Sequence, residues 1–432
     1  MKKRGRLYSN LRWQFVANIA QAALGGLFLL ALGMLLGVEG FGQYSITTAL
    51  VSVAFLFFDA RIQDVVAKNL FSADERSISG VEHRTLLFDL FTLECLLKII
   101  PLLGVVLAAE YLASFSQLPS DGVHWIILAA LGVTLSKSGA GLATGVLRVL
   151  GRTDLIALFM SMDWGFKLLS VLCVAWLATL NVALALWVVI VIGGITNGLQ
   201  LYVAHTLYSE LHGRDCLDWS FSGLFGRVGV HGRIILTNIG VSGSDAMSKD
   251  LDVALISSLL SAEQVGGYKM AKSIVQVVWR AVDPIYLAIM PEVQKLWHLG
   301  DRKTLFGLLR KLSLVVLVYA GFISLVTCFC IYWLDDLLVG KGYGDLLTLV
   351  FVMITWVIWC APLLWGHPLS VAIDRPEFQF YGGLLGTGVG LIAFYFLTPA
   401  LGVVGSGIAW SLTLIVGFSF TAMASVFRAL RQ

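Results

Sequence analysis

Residues 312–334 read LSLVVLVYAGFISLVTCFCIYWL, a run of 23 residues that contains no charged side chain. At 1.5 Å per residue, a helix of this length extends about 35 Å and crosses a bilayer core of about 30 Å. The run therefore predicts a membrane-spanning helix. Eleven other stretches have similar length and apolar character, and the twelve predicted spans cover residues 14–37, 41–60, 86–109, 123–145, 155–178, 182–205, 229–260, 265–291, 312–334, 345–368, 379–398 and 402–427.

The composition is that of a membrane protein along the whole chain. Hydrophobic residues make up 58% and charged residues 13% of the 432 residues, and the mean hydropathy is +0.85. Soluble domains contain roughly 45–50% apolar and about 25% charged residues. The apolar runs are also far longer than the roughly 10-residue alternating strands of a membrane barrel. We therefore predict an all-α, polytopic membrane protein with about 12 transmembrane helices.

Lysine and arginine are distributed very unevenly among the connections. The segment before the first span, the even-numbered connections and the C-terminal tail hold 21 of them, whereas the odd-numbered connections hold only Lys341. Basic residues stay on the cytoplasmic side of a membrane, so both termini are predicted to be cytoplasmic. The net charge of +3 follows from this topology and does not indicate a nucleic-acid partner.

The chain lacks the sequence patterns of a metal site, a cofactor site or a catalytic centre. The six cysteines and seven histidines have no metal-ligand spacing. The longest connections contain about 25 residues, which leaves no room for a soluble catalytic domain. We therefore predict that the protein is not an enzyme and uses neither a metal nor a cofactor.

Two short motifs recur at nearly the same offset. EGFGQY at 39–44 and EQVGGY at 263–268 share the pattern E-x-apolar-G-x-Y, 224 positions apart. GRTD at 151–154 and DRPE at 374–377 occupy equivalent helix junctions, 223 positions apart. Because six crossings separate the copies, both copies start from the same side of the membrane and form parallel repeats.

The repeat predicts two six-helix bundles, one of residues 1–228 and one of residues 229–432. Transporters built from such repeats bind substrate near the membrane midplane and move one half against the other. The architecture therefore predicts transport by alternating access.

Basic residues also lie inside the predicted spans. A charge at the centre of a bilayer costs at least ~2.5–3.5 kcal/mol unless it faces a wet cavity or a partner, so it marks a functional site by default. We predict substrate binding by Lys98, Lys137, Lys167, Lys249, Lys269, Lys272 and Arg280.

Two of the lysines in the first half follow an acidic residue by four positions. Glu94 with Lys98 and Asp163 with Lys167 share a helix face at this spacing. Each pair is either a self-neutralising structural pair or part of a binding site, and both interpretations stay open. Lys137 has no local partner, and Gly141 and Gly145 after it predict close helix packing.

A polar patch, SGSDAMSKDLD at 242–252, interrupts the apolar span 229–260. The patch is either an external loop or part of one long helix that faces a cavity. The loop would leave only about ten apolar residues, Leu251 to Leu260, which are too few to cross the bilayer. We therefore favour one long, cavity-facing helix.

The next span carries five polar residues on one face, at spacings of three, four, four and three: Lys269, Lys272, Gln276, Arg280 and Asp283. We favour a ligand-facing stripe, and the alternative is neutralisation of these bases in structural pairs with Asp245, Asp250, Asp252 and Asp283. Candidate ion-coupling residues are Asp163, Asp250, Asp252 and Asp283. Pro284 is expected to kink this helix, and Pro291 to end it.

Several of these stretches together resemble the polysaccharide transporter family, the Wzx-type flippases of O-antigen and exopolysaccharide in the multidrug/oligosaccharidyl-lipid/polysaccharide (MOP) superfamily. They are the two E-x-apolar-G-x-Y motifs, LDVALISSLLSAEQVGGY at 251–268, the basic connection after Pro291 that ends Gly300-Asp301, and PALGVVGSGI at 399–408. The resemblance extends to the number and order of spans, and it implies the fold of multidrug and toxic compound extrusion (MATE) transporters.

The resemblance also implies a function. Such a flippase moves an undecaprenyl-pyrophosphate-linked oligosaccharide from the cytoplasmic to the periplasmic leaflet of a bacterial inner membrane. The intramembrane bases would attract the pyrophosphate as charge-assisted donors, and the polyprenyl tail would stay among membrane lipids. A polysaccharide polymerase and a chain-length regulator are implied as further partners.

Three alternatives remain. A multidrug extrusion antiporter would need an acidic, aromatic pocket for cationic drugs, which the intramembrane bases do not favour. A lipid II flippase of the same superfamily usually has additional helices. An enzyme embedded in the bilayer would need a His, Asp or Ser constellation that the sequence does not present.

Overall fold

The computed structural model describes residues 2–66, 80–212, 232–244 and 247–431. The structure is 88% helical, and no strand occurs within these ranges. The fold is therefore all-α, as predicted. The helices are α1 (Lys2–Leu56), α2 (Gly80–Phe115), α3 (Gly122–Lys137), α4 (Ala140–Val149), α5 (Thr153–Leu177), α6 (Val182–His212), α7 (Gly232–Ser244), α8 (Asp252–Ile256), α9 (Ala262–His298), α10 (Arg302–Trp333), α11 (Asp335–Val339), α12 (Leu346–Cys360), α13 (Gly366–Ala372) and α14 (Glu377–Arg431).

Glycine separates consecutive spans inside the two longest helices. Gly37 has φ 72° within α1, and Gly402 has φ 60° within α14, so each helix contains two of the predicted spans. This positive φ is open to glycine because it lacks a Cβ atom. By length and composition, eight segments of the described chain can cross a membrane, and they cover ten of the twelve predicted spans. The two others, 229–260 and 265–291, carry much of the intramembrane charge.

The chain divides into two compact units. Unit 1 consists of Met1–Ala31 and Thr47–Ala246, and unit 2 consists of Leu32–Ile46 and Met247–Gln432. The centre of α1 thus belongs to unit 2, and α7 belongs to unit 1. The division into bundles of residues 1–228 and 229–432 stays a prediction.

Each unit has its own apolar core. In unit 1, side chains of α2, α4, α6 and α7 pack with residues 60–66, and Leu90, Ala143 and Val65 are fully buried. In unit 2, α9, α10 and α13 pack with the end of α14, around Val293 and Leu369. Within a membrane these contacts fix helix positions chiefly through close packing, because lipid tails are as apolar as the core.

Small residues hold the two segments of α14 together. A Cβ atom added to Gly386 or Gly390 would overlap Thr413 of the second segment. Gly386 and Gly390 therefore allow close packing of the two segments, whereas Gly388 has no neighbour within 4 Å of an added Cβ atom.

The two E-x-apolar-G-x-Y motifs cross each other within unit 2. A Cβ atom added to Gly42 would overlap the carbonyl oxygen of Ala262, and one added to Gly266 would overlap the carbonyl oxygen of Val38. Val38 and Ala262 are themselves 224 positions apart, as are the two glycines. The crossing is therefore symmetric between the two copies of the motif.

Two of the predicted helix boundaries are wrong. Helix α9 does not end at Pro291 but continues through it to His298, because residues beyond Pro291, such as Val293, are anchored in the core of unit 2. The span 123–145 is not one helix, since it is interrupted between Lys137 and Ala140.

Candidate functional site: buried charges in the two units

The interruption between α3 and α4 creates a helix N-terminus inside unit 1. Gly139, with φ 79°, turns the chain, and α4 begins at Ala140. Glu94 of α2 accepts two of the free amides in the first turn: Oε1 accepts the N–H of Gly141 at 2.8 Å, and Oε2 accepts the N–H of Leu142 at 3.0 Å. The carboxylate of Glu94 therefore caps α4 instead of pairing with Lys98, the partner that the sequence spacing suggests.

The segment of residues 57–66 after α1 packs against α4; residues 57–61 are non-helical and residues 62–66 are helical. Arg61 has φ 45°, a conformation that side chains other than glycine rarely adopt. Its Nε atom donates to Ser242 Oγ at 3.3 Å, and Asn238 Nδ2 donates to the Ala60 carbonyl at 3.0 Å, so α7 holds the segment in place. The segment then packs Val66 on Gly145, where an added Cβ atom would lie 2.7 Å from Val66 Cβ. The predicted close packing of this glycine is confirmed.

The segment, α2 and the α3–α4 junction enclose a polar pocket of about 250 Å³ in unit 1. Its charged lining residues are Asp59, Arg61, Glu94, Lys98 and Lys137. Lys98 is 6% exposed and makes no direct hydrogen bond or salt bridge among the described residues, although Asp59 and Glu94 are near enough to act on its charge. The structure thus brings two of the seven predicted bases together with Arg61 and Asp59. In the sequence, Arg61 is one of the basic residues of the connections and indicates only topology, and no motif points to Asp59.

The second pair of unit 1 forms as its spacing suggests. Lys167 Nζ donates to Asp163 Oδ2 at 2.6 Å, and Thr196 Oγ1 donates to Asp163 Oδ1 at 2.9 Å. The ammonium group also lies 5.1 Å from the centre of the Trp164 ring, within the range of a cation–π interaction. Both charges are therefore satisfied inside the unit.

Unit 2 contains a fully buried ion pair next to a distorted helix. After α7, residues Met247–Leu251 form a π-helical turn, and α8 follows at once. Asp252 accepts Lys272 Nζ at 2.7 Å on each oxygen and Tyr268 Oη at 2.5 Å, and Lys272 also donates to the carbonyl of Lys249 at 2.5 Å. The side chains of Asp252 and Lys272 have 0% exposure, and Lys272 Nζ lies 5.2 Å from the centre of the Trp410 ring.

The other polar residues of unit 2 divide into paired and exposed groups. Lys269 Nζ donates to Asp250 Oδ1 at 2.6 Å in a partly buried pair. The side chains of Lys249 and Arg280 are exposed. Asp245 and the side chain of Asp283 lie outside what the structure describes.

These contacts change the interpretation of both spans. The span 229–260 is not one regular α-helix, because the π-helical turn at Met247–Leu251 interrupts it. Lys269 and Lys272 form the acid–base pairs that the sequence analysis considered as the alternative to a ligand-facing stripe. Substrate binding by the predicted bases, and ion coupling by the predicted carboxylates, stay predictions.

Within the described residues, no group of three or more His, Cys, Asp or Glu side chains is placed to hold a metal ion. The interior charged groups are ammonium and carboxylate groups in both units, with a guanidinium group and backbone N–H groups added in unit 1, and such groups can bind and release an anion. Interior charges of this kind in an all-helical, multi-pass membrane protein are typical of membrane transport proteins.

Family comparison places the chain within this class. Its residues 7–297, about two thirds of the 432, match the model of the family described as "Polysaccharide biosynthesis protein". The chain belongs to this family, and the predicted resemblance to the polysaccharide flippases of the MOP superfamily is confirmed. No curated protein matches the sequence.

Solved structures share the fold over almost the whole chain. An inward-facing MATE family transporter of the MOP superfamily has a TM-score of 0.65 at 12% identity, covering 98% of this chain and 95% of that one. The lipid II flippase MurJ, in an inward closed conformation, has a TM-score of 0.70 at 11% identity, covering 98% and 89%. The eukaryotic MATE transporter AtDTX14 has a TM-score of 0.63 at 15% identity, covering 100% and 98%. At these identities the similarity shows the fold alone, and it confirms the predicted MATE-like fold.

Proposed function

We propose that the protein flips an undecaprenyl-pyrophosphate-linked oligosaccharide from the cytoplasmic to the periplasmic leaflet of a bacterial inner membrane. Each hydroxyl of such a glycan would cost roughly 2–7 kcal/mol to bury without a hydrogen bond, so unassisted crossing is negligible. Membership of a polysaccharide biosynthesis family supports a glycan substrate. In this topology both termini are cytoplasmic, and alternating access carries the substrate across.

The observation that carries the proposal is the cationic pocket of unit 1. Lys98, Lys137 and Arg61 surround a space of about 250 Å³ and can donate charge-assisted hydrogen bonds to phosphate oxygens. The same pocket contains two carboxylates, those of Asp59 and Glu94, so the bases outnumber the acids. The diphosphate binds in the pocket in this proposal, the sugars follow through a wet path, and the polyprenyl tail stays among the membrane lipids.

The other five predicted bases differ in whether their side chains are free to contact the substrate. Lys167, Lys269 and Lys272 each hold a carboxylate partner, so they contact the substrate only in a conformation in which these pairs open. Opening would also free Asp163, Asp250 and Asp252 to take up a proton or a sodium ion, which is how we propose that they couple transport to an ion gradient. Lys249 and Arg280 are exposed and need no such opening.

The membrane potential adds to the direction of transport. Moving one charge across 100 mV is worth about 2.3 kcal/mol, so a diphosphate with about two negative charges gains about 4–5 kcal/mol when it leaves a negative cytoplasm. After release on the periplasmic side, we propose that a polymerase and a chain-length regulator act on the glycan.

Deletion of the gene in its bacterial host tests the proposal. Lipid-linked glycans are extracted, and their leaflet is assigned by accessibility to a periplasmic glycosidase. We expect an undecaprenyl-pyrophosphate oligosaccharide to accumulate in the cytoplasmic leaflet and to return to normal when the gene is restored. Accumulation of lipid II, or unchanged glycans with increased sensitivity to cationic drugs, would replace the proposal with one of the two related transport functions.

A further inference from the structure

The N-terminus of α4 is an anion-binding position that the protein fills with its own carboxylate. Free N–H groups and the helix dipole attract anions at such a terminus. Here the two amides of Gly141 and Leu142 are taken by Glu94, which comes from another helix and is 5% exposed. An added Cβ atom on Gly141 would lie 2.8 Å from Glu94 Oε1, so glycine is what allows an oxyanion to approach this closely.

A second observation points to an external ligand at the same place. Lys98 is more than nine-tenths buried and lines the pocket, yet it has no hydrogen-bond or ion-pair partner among the described residues. Glu94 lies four positions before it, the spacing at which Asp163 and Lys167 do pair at 2.6 Å. A buried ammonium group without a partner is costly. The pocket therefore presents an ammonium group that has acidic neighbours, Asp59 and Glu94, but makes no direct hydrogen bond or salt bridge with either of them.

The charges of the pocket are consistent with an exchange of partners. Arg61, Lys98 and Lys137 exceed Asp59 and Glu94 by one positive charge. If Glu94 turns from the two amides to Lys98, a phosphate group can take over both N–H groups, and Lys98 gains the partner that it now lacks. Lys137 and Arg61 then face the phosphate oxygens. After the exchange, both Lys98 and the two amides contact an anionic group directly.

We propose that Glu94 is an internal substitute for the phosphate of the substrate, and that anion binding displaces its carboxylate from the N-terminus of α4. The ligand class is a phosphate or diphosphate group, and its identification with the lipid diphosphate rests on the proposed function. Glu94 thereby keeps the empty site closed to weaker anions and sets the affinity for phosphate. It is a positioning and competing residue, and the proposal involves no covalent step.

Titration of the purified, full-length protein with inorganic pyrophosphate tests this proposal. Binding is measured by isothermal titration calorimetry in detergent at constant ionic strength. The variant Glu94→Gln removes the competing charge, and we expect it to bind pyrophosphate about tenfold more tightly than the wild type. Adding Lys98→Met to that variant should remove most of the gain. The matched control is Glu110→Gln, which removes an exposed carboxylate from the same helix and should leave the affinity unchanged.

Equal or weaker binding by Glu94→Gln, with thermal stability close to that of the wild type, would overturn the proposal. If this variant does not fold, Glu94→Asp serves instead, because the shorter side chain cannot reach both amides and should also raise the affinity. If neither variant folds, infrared difference spectra of the wild type decide: added pyrophosphate should shift a carboxylate band, and an unchanged band contradicts displacement.

The binding assay does not depend on transport, so the two proposals fail separately. Tighter pyrophosphate binding by Glu94→Gln with normal lipid-linked glycans in the deletion strain would leave the anion exchange standing and reject the flippase. Accumulated lipid-linked glycan in that strain without any effect of Glu94→Gln on affinity would do the reverse.

Discussion

The buried pair of Asp252 and Lys272 allows a quantitative prediction. The substitution Lys272→Met keeps an unbranched apolar stem but removes the ammonium group, which makes two contacts of 2.7 Å with Asp252 and one of 2.5 Å with the Lys249 carbonyl. Asp252 would keep only the hydrogen bond from Tyr268 at 0% exposure. Breaking a buried pair by removing one partner costs about 3–5 kcal/mol. We expect a loss of unfolding free energy of about this size.

The double variant separates structure from ligand binding. Replacing Asp252 by Asn together with Lys272→Met removes both charges and retains the Tyr268 hydrogen bond, so more than half of the lost stability should return. Unfolding is followed in detergent by circular dichroism, with Arg280→Met as a control because Arg280 is exposed on the same helix. If Lys272→Met unfolds within about 1 kcal/mol of the wild type, or if the double variant is no more stable than the single one, the buried charge pair does not stabilise unit 2 in this way.

Three further predictions use the same measurements or the leaflet assay. Gly42→Ala places a methyl group on the Ala262 carbonyl and should destabilise unit 2 by about 1–3 kcal/mol. The control Gly267→Ala should cost less, because its methyl group meets only Leu349, at 3.9 Å. Equal losses of stability in the two variants would argue against a tight crossing. Asp163→Asn leaves the lysine partner without its charge and should lower stability by about 1–3 kcal/mol in unfolding scans; an unchanged melting curve would contradict this. Lys98→Met and Lys137→Met should each reduce glycan flipping at least severalfold at normal protein levels, and normal periplasmic glycan in both would exclude the pocket from the substrate path.

The sequence predicted most of the helices because length and hydropathy decide them. The span 312–334 corresponds to α10, which begins at Arg302 and ends at Trp333. The glycines inside α1 and α14 lie where the predicted spans meet, near residues 37 and 402. Whether a segment crosses the bilayer depends on about 20 consecutive residues, so local composition is enough to predict a membrane span.

Contacts between distant segments were harder to predict. The spacing of Glu94 and Lys98 suggested a pair, but the break before α4 exposes two amides that bind the carboxylate more favourably. Arg61 lies in a cytoplasmic connection by charge counting, although its unusual φ turns it into the pocket of unit 1. Pro291 did not end α9, because tertiary packing beyond it outweighs the local preference. In each case, the deciding neighbour is more than 40 positions away or depends on the backbone turn.

The crossing of Gly42 and Gly266 has a consequence for the descent of this chain. If the halves arose by duplication, the ancestral segment met a second copy of itself at this point, and one glycine served both sides of a symmetric dimer. After fusion into a single polypeptide, the two positions can mutate independently although they share one contact. Neither glycine can then acquire a side chain without a compensating shift in the other copy. Among relatives, the two glycines are expected to be kept or lost together, and such covariation would support a homodimeric ancestor.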